Sequence, residues 1–135
     1  MIDYLMEYED ITLVACNEQY KLLRDLTQLG INITAIDYDE KFKGMNSYVC
    51  ADFVFDDVTF GECVVHYNCE KTYPLGKIYK GDMILIGDDQ GHNGDPNPIT
   101  SHEQLIEQNN ITEVYETDTW TKRGVTHYLV WGTNK

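Results

Sequence analysis

Between Lys80 and Lys122 the chain carries nine carboxylates and no basic side chain: Asp82, Asp88, Asp89, Asp95, Glu103, Glu107, Glu113, Glu116 and Asp118. Unpaired charges do not enter an apolar core, so any fold must spread this segment over wet positions. The segment dominates a formal net charge of −13. Apolar residues still make up 42 % of the chain and aromatics 12 %, which is too rich for a disordered acidic tail. The charge therefore sits on a folded body. At 135 residues the expectation is a single compact acidic domain, 1–135, built around one core.

Such a field repels nucleic acid and anionic membranes and attracts a basic protein surface or a cation. It also serves the simpler purpose of keeping a small protein in solution. No apolar run approaches the ~18 residues that span a bilayer. The opening Met-Ile-Asp-Tyr-Leu-Met-Glu has neither the basic nor the apolar region of a secretory signal. A cytoplasmic location is expected, of the producing or a host cell. Cys16, Cys50, Cys63 and Cys69 then read as reduced thiols, with Cys16 and Cys50, inside apolar segments, as small core residues.

Residues 11–16 predict a first strand, β-branched and mostly apolar. Asn17 is read as the cap of a main helix over about 17–29, whose stripe is Leu22, Leu23, Leu26 and Leu29. Gly30 stands where such a helix stops. Residues 31–38 resume as strand, and 39–46 read as a polar loop. Val49, Ala51, Phe53 and Phe55 alternate with Cys50, Asp52, Val54 and Asp56, a period of two. This pattern predicts a hairpin turning at Asp56-Asp57 and returning over 58–67. A second hairpin is expected over 75–86 around Lys80-Gly81. Residues 87–99 form a loop, and Thr100 or Ser101 caps a short second helix at about 102–108 that ends at Asn109-Asn110. A last hairpin, 111–120 and 125–131, turns at Lys122-Arg123-Gly124. Its second strand is apolar on both faces and so belongs inside a sheet. The expected fold class is α+β, a mostly antiparallel β-sheet with the main helix packed on one face.

The loop holding Asp88, Asp89, His92, Asn93 and Asp95 offers oxygen donors, one imidazole and flexible glycines. It departs from the calcium-loop pattern: counting from Asp89, Gly91 falls at the third position and Thr100 at the last. Asp88, Asp89, His92 and Asp95 are candidates for a divalent cation, and a solvated turn-rich loop accounts for the same residues. Cys63, His66 and Cys69 have zinc-like spacing. As a strand, however, the segment points Cys63 and Cys69 one way and His66 the other, and two further ligands are missing. Core cysteines and a surface histidine fit better. Ser47 and Ser101 lie in no nucleophile elbow. Cys16 with a histidine is a possible nucleophile pair without a readable geometry. There is no Gly-x-Gly-x-x-Gly and no Walker motif.

Ten tyrosines and two tryptophans, many beside acids, supply rigid amphipathic contact area. Carboxylates at i and i+2 on a strand, such as Glu116 and Asp118, stand ~6.6 Å apart on one face. Glu103 and Glu107 make a second row at helical spacing. The expected contact surface is Asp88, Asp89, Asp95, Glu103, Glu107, Glu113, Tyr115, Glu116, Asp118 and Trp120. Arginine pairs such carboxylates and stacks on such rings. The functional expectation is a non-catalytic acidic binder that mimics nucleic acid and inhibits a basic partner, a nuclease or other nucleic-acid-binding enzyme. Phage counter-defence inhibitors and toxin immunity proteins exemplify that class. It needs no cofactor, a divalent cation at the loop excepted. The alternatives are a small metal-dependent enzyme or ligand-binding protein using residues 88–95, and a scaffold subunit.

Overall fold

The computed structural model describes residues 2–14, 20–37, 48–90 and 99–135. Seven strands make one sheet: β1 Asp10–Val14, β2 Asn32–Asp37, β3 Tyr48–Cys50, β4 Cys63–His66, β5 Asp82–Asp88, β6 Glu113–Lys122 and β7 Val125–Thr133. Their order across the sheet is β3-β2-β1-β4-β5-β7-β6. The helices are α1 Ile2–Leu5, α2 Tyr20–Gln28 and α3 His102–Gln108, with 3-10 turns at Cys69–Lys71 and Leu75–Lys77. The chain clusters into two compact units, Met1–Val65 and His66–Lys135.

In the first unit β1, α2 and β2 form a βαβ unit. β1 and β2 pair in parallel with Ile11 opposite Ile33 and Leu13 opposite Ala35, and β2 pairs in parallel with β3. Glu62 donates its N–H to the Asp10 carbonyl at 2.8 Å. The start of β4 therefore lies beside the start of β1. Gly30, at φ 80°, closes α2: its N–H bonds Thr27 O and the N–H of Ile31 bonds Leu26 O. This paired motif needs a left-handed residue at that place. Ile11, Thr12, Leu13 and Val14 are all buried, as a strand covered on both faces requires.

In the second unit β7 is the reversed strand, antiparallel to both β5 and β6. The two-residue loop Arg123-Gly124 has positive φ at both positions (54° and 77°), the geometry that matches strand twist in tight hairpins. Ser101 caps α3, accepting from Gln104 N–H at 3.3 Å. Met83, Ile84, Leu85, Ile86, Ile99, Leu105, Leu129 and Val130 form this unit's core.

The expected mostly antiparallel α+β sheet is corrected: the sheet is mixed, and β1, β2 and β3 are parallel. The period-two run at 49–56 yields only the short β3, then a turn in which Phe55 and Asp56 N–H bond Asp52 O. No hairpin joins β3 to β4, because β2 and β1 lie between them. The 75–86 hairpin is replaced by a 3-10 turn leading into β5. The last hairpin, the interior place of β7, the short second helix and Gly30 stand as expected. Leu26 is buried but Leu29 is half exposed, so the main-helix stripe is shorter than its leucines suggest. Asn17, Cys16 and the loop 39–46 lie outside the described residues.

Candidate functional site

In open sheets of parallel strands, ligands bind outside the carboxyl ends where the strand order reverses, since successive crossovers diverge there and leave a crevice. In this sheet the reversal lies at β1, flanked by β2 and β4. β2 ends there on Asp37, a carboxylate with only 5 % of its surface exposed. Its carbonyl accepts the N–H of Ala51 at 3.0 Å, which fixes the end of β2 against the end of β3. The chain after β3 is locked by two aspartates. Asp52 Oδ1 accepts the Val54 N–H at 2.9 Å, while the Asp52 N–H donates to Asp56 Oδ2 at 2.7 Å. Phe53 is buried beneath that turn. Asp37 thus closes β2 as a buried carboxylate on a backbone pinned to the end of β3. From sequence, Asp37 falls inside the expected strand 31–38 and has no assigned role. The βαβ pattern at 11–37, with an acid closing its second strand, is the signal that points to it.

In the second unit the turn after β4 concentrates polar groups away from water. His66 is fully buried, and its Nε2 lies 2.5 Å from Thr72 Oγ1. Burial lowers its pKa to about 3, so the ring is neutral at physiological pH. Cys69 is buried and its Sγ donates to the His66 carbonyl at 3.4 Å. Burial, above all, pushes its thiol pKa up, which removes it from nucleophile chemistry. Glu70 is buried beside them. Asn68 holds φ 56° at the start of this turn, a left-handed conformation that asparagine tolerates better than most residues. The expected surface histidine is therefore a core group, whereas the expected core cysteine Cys50 is exposed.

The residues expected at a contact surface divide between two faces. Strand register places Glu113, Glu116, Asp118 and Trp120 opposite Thr133, Trp131, Leu129 and His127, hence on one face. A bulge at Tyr115 turns its ring onto Trp131 at 5.2 Å, and its hydroxyl donates to Asp82 at 3.1 Å. Burial first, then Asp82, raises the tyrosine's pKa. Trp120 stacks on His127 at 5.3 Å. Helix α3, which carries Glu103 and Glu107, lies against the other face, where His102 meets Tyr128 and Thr119. Asp88 and Asp89 serve their own strand end: Asp88 Oδ1 accepts Gln90 N–H, and Asp89 Oδ1 accepts Thr126 N–H. Among the described residues, no three His, Cys, Asp or Glu side chains gather as metal ligands. His92 and Asp95 lie outside the described residues.

No protein-family model and no curated protein sequence matches the chain. Solved structures do match in fold. One is the 1,6-didemethyltoxoflavin-N1-methyltransferase of Burkholderia thailandensis with bound 1,6-didemethyltoxoflavin and S-adenosylhomocysteine. The TM-score is 0.69 at 13 % identity, over 96 % of this chain and 73 % of that one. Another is the magnesium protoporphyrin IX methyltransferase of Synechocystis PCC 6803 with bound SAM, at TM-score 0.60 and 11 % identity, over 93 % and 69 %. A third is the cyclase SpnF, at TM-score 0.62 and 12 % identity, over 97 % and 79 %. The fold is the methyltransferase-like Rossmann fold. This overturns the expectation of a non-catalytic, cofactor-free nucleic-acid mimic acting as an anti-defence inhibitor. That reading rested on the concentrated acidic charge together with the lack of a catalytic motif, and the architecture here is one in which neighbours hold SAM or S-adenosylhomocysteine.

Proposed function

We propose that the chain binds S-adenosylmethionine at the carboxyl edge of its parallel strands and acts as a methyltransferase. The observation that carries this reading is Asp37, a buried carboxylate closing the second strand of a sheet in this order. A carboxylate at that place accepts both hydroxyls of a ribose, which fits an adenosyl group. The choice among adenosyl ligands follows from charge. Residues 15–19, which follow β1, contain no glycine, so the sequence there lacks the glycine pattern of a pyrophosphate-binding turn. S-adenosylmethionine has no phosphate and carries a net positive charge, which a chain of net charge −13 attracts. When bound, its sulfonium supplies an electrophilic methyl group. The chain's own residues hold the ribose and exclude water from that edge. Asp37 holds the sugar, and the doubly capped turn from Asp52 to Asp56 keeps the edge rigid.

Among the described residues no helix is long and apolar enough to cross a membrane. Free thiols at Cys50, Cys63 and Cys69 suit a reducing compartment, so the cytoplasm is the proposed location.

Titration calorimetry with S-adenosylmethionine, S-adenosylhomocysteine and NAD tests the reading. Binding of the two adenosyl sulfur compounds without NAD is the expected result. Asp37→Asn should weaken both by about tenfold or more, the scale of a charge-assisted hydrogen bond, with the fold intact by circular dichroism. NAD binding without S-adenosylmethionine binding, or an unaffected Asp37→Asn protein, would overturn it.

A further inference from the structure

Side chains of a strand alternate between its two faces. Along β2, Ile33, Ala35 and Asp37 point one way while Asn32, Thr34 and Ile36 point the other. Right-handed crossovers place the β1–β2 connection, which is α2, on one face of the sheet. They place the return from β3 to β4 on the opposite face. That return, residues 51–62, contains no helix. A parallel sheet normally has both faces covered by helices, so the loop leaves its face incompletely roofed. The consequence is a groove of about 370 Å³ whose walls include Asp10, Thr34, Ile36, Val49, Asp57 and Phe60. Val49, on its floor, stays 45 % exposed.

The lining has a definite chemistry. Apolar Ile36, Val49 and Phe60 line the groove together with the acidic Asp10 and Asp57, and among the described residues no lysine or arginine lines it. Its volume lies in the range of small-ligand pockets. The floor and the loop are held in place: Gly61 N–H donates to Thr12 Oγ1 at 2.8 Å, and Glu9 N–H donates to Glu62 Oε1 at 3.1 Å. Gly61 cannot acquire a side chain, because a Cβ there would lie 2.6 Å from the Asp10 carbonyl oxygen. We infer that this groove is a binding site for a small organic cation, an ammonium group carried on an aryl or branched apolar body. The ammonium meets carboxylates and the face of Phe60, and the body covers the exposed sheet. A second copy of the chain is a poor occupant, since each copy brings the same excess of negative charge. The site stands apart from Asp37, which faces the other side of β2, and it does not depend on the methyltransferase reading.

The test is an amide NMR titration of the full chain with 2-phenylethylammonium, beside its uncharged counterpart 2-phenylethanol. Shifts confined to β2, β3 and residues 57–61, with the alcohol weaker by about tenfold, are expected. Asp57→Asn, in an exposed loop, should weaken the ammonium about tenfold. Thr34→Phe, which fills the groove, should abolish the shifts. Asp37→Asn should leave the titration unchanged, which separates this site from the adenosyl site. Equal binding of ammonium and alcohol, shifts spread over the acids of α3 and β6, or no shifts at about 10 mM, a concentration at which fragments of this size register, would overturn the proposal.

Discussion

His66 shows how much a single side chain's setting departs from its sequence neighbourhood. Alternation along 63–69 assigns it to the surface, yet it is fully buried because β4 lies inside the sheet, where both faces are covered. Its folded pKa of about 3 lies below the ordinary 6.5, so the neutral ring is the folded form. Stability from this group is fully present above pH 6.5 and is lost as pH falls toward 3, where the unfolded chain takes up a proton that the folded chain refuses. Between pH 7 and pH 5 that amounts to about 2 kcal/mol. Urea unfolding at the two pH values should show this loss in the natural protein and a smaller one in His66→Gln. An equal loss in both would place the acid sensitivity elsewhere.

Among the elements, the segment between the 3-10 turn Leu75–Lys77 and β5 is held by two buried asparagines rather than by a ladder. Asn134 accepts Gly81 N–H at 2.9 Å and donates to the carbonyls of Gly76 and Tyr79 at 3.0 and 2.8 Å. Asn109 accepts Gly76 N–H at 2.9 Å and donates to Leu105 O at 3.0 Å. Backbone groups that are buried and lose their partners carry the full desolvation cost. Asn134→Ala should therefore destabilise by about 3 kcal/mol, read as a lower urea midpoint at unchanged slope. A loss under about 0.5 kcal/mol, the scale of an ordinary surface substitution, would show that water replaces the amide. No sequence pattern announces either asparagine: both look like loop formers, and Asn109 does also end α3.

At the scale of the whole molecule the acidic charge has a ligand consequence. S-adenosylmethionine carries one more positive charge than S-adenosylhomocysteine. The field of a chain with net charge −13 should favour the former at low ionic strength, and salt should screen that preference. The affinity ratio of the two ligands should fall as salt rises from about 20 mM to about 500 mM, a range over which the screening length shortens severalfold. A salt-independent ratio would mean that the binding edge does not feel the global charge.

The amino-acid sequence by itself determined the local features: the left-handed stop at Gly30, the Ser101 cap of α3 and the tight turn at Arg123-Gly124 that closes the last hairpin. Each depends on residues within a few positions of one another, where dihedral preference and short-range hydrogen bonds decide. Only the tertiary structure decided which strands are neighbours. A period-two run such as 49–56 reads the same whether its partner is the next segment or a parallel strand reached through a crossover. That choice turned an expected antiparallel sheet into a mixed one. It also set Asp37 at the carboxyl edge of the sheet and left the opposite face of β2 and β3 with its groove.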